Sequence, residues 1–237
     1  MLCQVEQVIA QLHKRKGQPA QGLAQTFQHY LPLVRQVLDQ TTRRVLEKQH
    51  VPAAQKIVSR FEPHTAIIQR GKRPPQETEF GRKLWYSEVD GGIISEYRIL
   101  QGNPPDDQQW VTSLKHHLQV FGHPPDLATA DRGVYSPENE RVARALGVRQ
   151  VALPQPGAKT KRRQQYEDQK WFKAALRFRI GIEGRISGLQ RARKLDRCLN
   201  RGEDGLARWV GWRIITNNLV VMAKKLACRK RRVKAES

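Results

Sequence analysis

Two runs of alternating, strand-forming residues flank a glycine pair. Residues 82–90 read RKLWYSEVD, residues 93–100 read IISEYRIL, and Gly91-Gly92 lies between them. Glycine accepts the positive φ that a tight hairpin turn demands, so this spacing predicts an antiparallel hairpin. Gly102-Asn103-Pro104-Pro105 ends the second strand. Asp106 or Asp107 is placed to cap a helix over 108–121, with Trp110, Leu114, Leu118 and Phe121 on one face and Gly122 as its stop. Leu127-Ala128-Thr129-Ala130 is a short apolar run that ends at Asp131. Ser136-Pro137-Glu138 opens a helix over 137–146, closed by Gly147; 148–153 is a further strand. A Pro, Gly and Lys loop spans 154–165. Helices are expected over 167–195 and 205–226. The order of hairpin, helix, strand, helix, strand, helix predicts an α/β fold: a mixed sheet with parallel crossovers and helices on both faces.

The segment before the hairpin differs. Residues 2–13 read as a short helix, which Gly17 to Gly22, with Pro19, is expected to break. From 23 to 50 the apolar positions Leu23, Phe27, Tyr30, Leu31, Val34, Leu38, Val45 and Leu46 are near-helical in spacing, interrupted at Pro32, on a Gln- and Arg-rich background. The expected organisation is a helical segment over 1–59, an α/β core over 60–226 and a basic tail over 227–237.

Charge narrows the partner. The 237 residues carry a formal net charge of +21. Residues 1–157 contribute +5 and residues 158–237 contribute +16. Between Lys159 and Arg213 the cations are interleaved with Trp171, Phe172, Phe178, Trp209 and Trp212. That pattern implies a folded cationic surface and makes nucleic acid the favoured partner, bound with strong salt dependence. For the tail RKRRVKAES, DNA contact and a simple solvated tail weigh equally. No apolar run approaches the ~20 residues that cross a bilayer, so no membrane span is expected. The N-terminus has its charge after its short apolar stretch, unlike a signal peptide. Cys3, Cys198 and Cys228 are far apart and form no CxxC pair. That argues against a zinc finger or a disulfide framework and suits a reducing, cytoplasmic setting.

Two acids stand out by position. Asp131 ends a buried-type strand, where ligands bind in open α/β sheets, although Gly133 also suits a plain turn Asp. Glu183 lies in RFRIGIEGRIS, flanked by Gly181 and Gly184 in a helix; each glycine costs roughly 1 kcal/mol against Ala. That cost predicts a helix surface approached closely by strand, DNA or metal. Arg179 is one turn before Glu183 and shares its face. Carboxylates from separate elements among cations suit two-metal phosphoryl transfer.

Taken together, GRKLWYSEVDGGIISEYRILQGNPPDDQQ, ADRGVYSPENERVARALGVRQVALP and WFKAALRFRIGIEGRISGLQR resemble the catalytic domain of bacterial insertion-sequence DDE transposases, over about Val51 to Leu226. The similar group has an RNase H-like core interrupted by a helical insertion. The resemblance implies Asp131 as the second acid of the triad and Glu183 as the third, both catalytic and both ligands of Mg²⁺ or Mn²⁺. It implies Arg179 as the arginine of the family's Tyr-Arg-Glu-Lys spacing, with Arg185, Arg191 and Lys159 among the DNA contacts. Leu176 stands at the Tyr position and Gln190 at the Lys position, with Arg191 adjacent as a substitute. Asn217 and Asn218 look familial without an assigned role.

The family's first Asp lies on a first strand before the insertion. Here Asp39 sits in a helical pattern, Asp90 at a hairpin turn, and Asp106 and Asp107 at helix caps; Glu62 is a poor stand-in. The expectation is therefore a truncated RNase H-like core that lacks its first strand and is inactive alone. A complementing upstream fragment, or a homodimer, would be its protein partner. A non-catalytic DNA-binding remnant is the alternative. A basic RNA-binding protein is a third reading, without an RNA-recognition signature in the sequence.

Overall fold

Helix-forming residues dominate the chain, and strands are short. The structure, a computed structural model, describes residues 2–15, 17–69 and 78–236, without the side chains of 69 and 230–236. It is a mixed α/β chain that divides into two units, 1–83 with 101–103, and 84–100 with 104–237.

In the first unit, α1 is Leu2–Lys14 and α2 is Gln18–Thr41, continued by a π-helical turn over Thr42–Leu46. The expected break falls at Gly17, between α1 and α2, and Pro19 is not what makes it. Pro19 lies in the first turn of α2, where its missing N–H is not needed. Pro32 lies inside α2, which continues through it. An unforeseen antiparallel pair, β1 (Ala66–Gln69) and β2 (Thr78–Gly81), matches Ile67 with Phe80.

The second unit opens with the expected hairpin, β3 (Lys83–Val89) and β4 (Ile93–Leu100), turned by Gly91 at φ 90° and Gly92 at φ 82°. Then come α3 (Asp107–Phe121), β5 (Leu127–Thr129), α4 (Pro137–Ala145) and β6 (Gln150–Ala152). The C-terminal helices are α5 (Lys161–Glu167), α6 (Lys170–Arg193) and α7 (Gly202–Glu236). Gly122, left-handed at φ 75°, stops α3 as read, but neither Asp106 nor Asp107 makes a side-chain cap bond there. Ser136 does cap α4, accepting from the Asn139 amide.

Two expectations need correction. The helix expected over 167–195 is α6, but the loop expected over 154–165 is not all loop, because Thr160 caps α5 within it. The basic tail from 227 is not separate either: α7 continues through 236, since Arg, Lys and Ala are good helix formers.

A continuous mixed sheet is also not formed. The strands make three separate two-stranded ladders, and among the described residues nothing pairs β3 with β5. β5 and β6 are parallel, with Ala128 opposite Val151. Alternation along β3 serves two cores. Trp85 packs against Trp110, Leu114, Ala128, Val134, Ala143, Val148, Val151 and Leu153. Leu84 and Tyr86 pack against Ile94, Leu189, Val210 and Ile214. Ser113 joins the hairpin to α3, accepting from Trp85 Nε1 at 2.7 Å and Arg98 Nη2 at 3.0 Å.

Candidate functional site

β5 ends at Thr129, and Asp131 follows as the cap of a 3₁₀ turn over Arg132–Val134. Its Oδ1 accepts the Arg132 amide at 3.0 Å, which is the turn role the sequence allowed. Its Oδ2 points elsewhere, to Arg179 Nη2 on α6 at 2.6 Å. Arg179 Nη1 donates to Glu183 Oε1 at 2.8 Å, one turn along the same helix. One guanidinium therefore joins the two acids singled out in sequence. Arg179 is only 20% exposed, while Asp131 and Glu183 keep 60% and 63% of their side-chain surfaces. The cation is held in the wall and the carboxylates face outward.

Beside this group lies a second, buried one. Glu88 on β3, 1% exposed, accepts from Arg185 Nε at 2.5 Å, and its Oε1 has no hydrogen-bond partner. The Tyr86 hydroxyl is likewise buried without a partner. Burial pushes the Tyr86 pKa up to about 12, Glu88 adding to the effect while Arg185 and Arg179 oppose it. Tyr86 is thus a neutral phenol within the field of both arginines. Neither Glu88 nor Tyr86 was singled out in sequence. The signal was there: along β3, Leu84, Tyr86 and Glu88 share one face by the period-two rule, so an acid was written onto an apolar face.

The other sequence candidates fall in different surroundings. Arg185 is engaged by Glu88 and by the Phe178 carbonyl, and its guanidinium lies 5.2 Å from the Phe178 ring centroid. Lys159 pairs with Glu167 and closes the loop before α5. Arg191 is exposed on the last turns of α6. A Cβ added at Gly184 would have no neighbour within 4 Å, and one added at Gly181 would meet only the Arg185 side chain. Around Gly184 this helix face is open. Asn218 gains a role: Oδ1 accepts the Ile94 amide at 3.0 Å, and Nδ2 donates to the Ile94 carbonyl at 2.9 Å.

As a cation site the residues go part of the way. Two outward carboxylates from different elements suit a hard divalent ion. Among the described residues, however, no three His, Cys, Asp or Glu side chains converge. Asp39 is paired instead with Arg43 at 3.6 Å, and Asp90 lies in the hairpin turn. No described helix is long and apolar enough to cross a membrane. Compared with known protein families, with curated proteins and with solved structures, the chain matches none.

Proposed function

We propose that this chain is the C-terminal portion of an insertion-sequence DDE transposase, acting on DNA, with Asp131 and Glu183 as two of the three acids of an RNase H-like site. The observation that carries the reading is the single Arg179 guanidinium that joins Asp131 and Glu183, residues 52 positions apart that local sequence signals mark independently. Asp131 and Glu183 would hold Mg²⁺ or Mn²⁺, which would supply Lewis-acid stabilisation of the attacking and leaving oxygens. Asp131 and Glu183 supply two carboxylates toward the ion. Arg179 balances their charge and lies within reach of a phosphate brought to the pair. Arg191 and the cations of the last helices draw in the polyanion.

The gap between β3 and β5 fits the same reading. An added strand there would join the two ladders and bring the third acid. Its donor is a complementing segment carrying an Asp, and without it the chain binds DNA but does not cut it. The separate ladders and the two-acid site equally favour a second reading, a non-catalytic DNA-binding remnant that occupies element ends.

The test is a Mn²⁺ titration read by electron paramagnetic resonance, beside a plasmid-nicking assay. The Asp131→Ala, Glu183→Ala protein should lose Mn²⁺ binding and keep its DNA affinity. The unaltered chain should leave the plasmid intact alone and nick it only with the complementing segment. Mn²⁺ binding that survives the double substitution would falsify the site. Nicking that no complement restores favours the remnant. Stronger affinity for structured RNA than for DNA overturns both readings.

A further inference from the structure

In the first unit the chain folds back along α2 where that helix ends, and the bend leaves an open recess of about 460 Å³. Arg44, Lys48, Gln49, His50, Val51 and Lys56 line it. Three of these are permanent cations and a fourth is a histidine. Among the described residues no acid lines the recess. Asp39, one turn before Arg43, pairs with that arginine at 3.6 Å, outside the lining. Among the described residues the side chains of Arg44, Lys48, His50 and Lys56 have no ion pair.

The walls are held by α2. Gln40 grips both main-chain groups of Ile57: its Oε1 accepts the amide at 2.9 Å, and its Nε2 donates to the carbonyl at 3.0 Å. Gln36 Nε2 donates to the Gln55 carbonyl at 3.0 Å. Lys56 therefore sits between two clamped residues, and Val51, 2% exposed, anchors the opposite side.

The bend itself is unusual. Thr42–Leu46 is a π-helical turn, and Lys48 is left-handed at φ 54°. Both backbone states are uncommon and concentrate at functional sites. Glycine adopts the left-handed state freely, whereas lysine is strained there. A helix C-terminus favours nearby cations, which accounts for Arg43 and Arg44. It does not account for His50 and Lys56, which lie beyond the helix. Nor does it account for a strained lysine where glycine would close the helix as well.

We propose that this recess binds a phosphate group. Arg44 supplies a planar fork, Lys48 and Lys56 point charges, and Gln49 and His50 further donors. Two sources carry that group: a free phosphorylated molecule of nucleotide size, and the backbone of a nucleic acid. None of these residues belongs to the group at Asp131, and binding here does not depend on the chemistry there.

The test titrates the full chain with inorganic phosphate, in chloride of matched ionic strength, and separately with a short labelled DNA duplex. Lys48→Gly with Lys56→Gln removes two cations and relieves the strained bend, so this protein should melt no lower than the unaltered one. For a free ligand, phosphate binds at one site per chain, the double substitution weakens it about tenfold or more, and duplex affinity barely moves. For a backbone contact, duplex affinity falls by a similar factor and its salt slope drops by about 2. Unchanged affinity for both probes overturns the proposal. Lys14→Gln with Arg15→Gln, at two exposed cations of the same unit, matches the charge removed. An equal loss in that control also overturns it. Should the Lys48 and Lys56 protein melt lower, Arg44→Gln, at an exposed position, leaves the bend as it is. It should weaken the same probe several-fold, and an unchanged affinity overturns the proposal.

Discussion

Two arginines in the second unit each clamp a pair of carboxylates, and they do opposite things with them. Arg163 on α5 donates to Glu140 on α4 at 2.8 and 3.0 Å and to Glu167 at 2.7 Å, and also reaches the Leu153 carbonyl. All three side chains are 11–15% exposed, and the Gln155 amide and Lys159 complete Glu167. The guanidinium lies over the rings of Tyr135 and Tyr166 as well. This cluster is saturated and dry; it ties α4, the strand after it and α5 together. Arg179 has the same stoichiometry, but its two acids are mostly in water. A closed clamp is structure, because every carboxylate oxygen in it already accepts a hydrogen bond. An open one leaves carboxylate oxygens that a ligand can take.

The largest expected effect lies at the closed clamp. Arg163→Met leaves Glu140 and Glu167 buried without their cation and should cost about 3 kcal/mol of stability, read as a shift in the urea midpoint. A loss below about 1 kcal/mol would remove the distinction between the clamps. Acid should act on the same cluster. Burial of Glu167 alone would raise its pKa, but Lys159, the Gln155 amide and Arg163 together hold it below the usual carboxylate range. A depressed carboxylate stabilises the fold above its unfolded pKa of about 4.3, and that contribution fades as pH falls through the lower folded value. Thermal melts should therefore drop on the acid side of that range. In Glu167→Gln the acid limb should flatten. The smallest effect on stability is expected at the open clamp, where Arg179→Met should change the unfolding free energy by less than about 1 kcal/mol. Its Mn²⁺ affinity should instead rise several-fold as both carboxylates lose their internal cation. A large stability loss with no change in Mn²⁺ binding would make Arg179 a second staple.

What could be read from the sequence was mainly local. The Gly91-Gly92 turn, the Gly122 stop and the Ser136 cap are each decided within four residues, and each stands where the spacing put it. Asp131, Arg179 and Glu183 were likewise legible, by strand end and by helical i,i+4 spacing. The pairing of β1 with β2 was not legible, because which strand a strand pairs with depends on nothing written in either one. Arg163 and Lys159 went unread as structural residues for a related reason. In a strongly basic stretch every cation looks like surface, and only the fold brings Glu140 and Glu167 to them. The end of α7 was misjudged because a run of Lys and Arg satisfies both a solvated tail and a helix.

The two hydrogen bonds between Asn218 and Ile94 join residues 124 apart. The hairpin is the most locally encoded element of the chain, yet the side chain that secures it is made 124 residues later. On a ribosome the turn at Gly91-Gly92 can form early, but it waits for those residues before it is locked. Until then the hairpin is exposed to mispairing, and its completion is timed by α7.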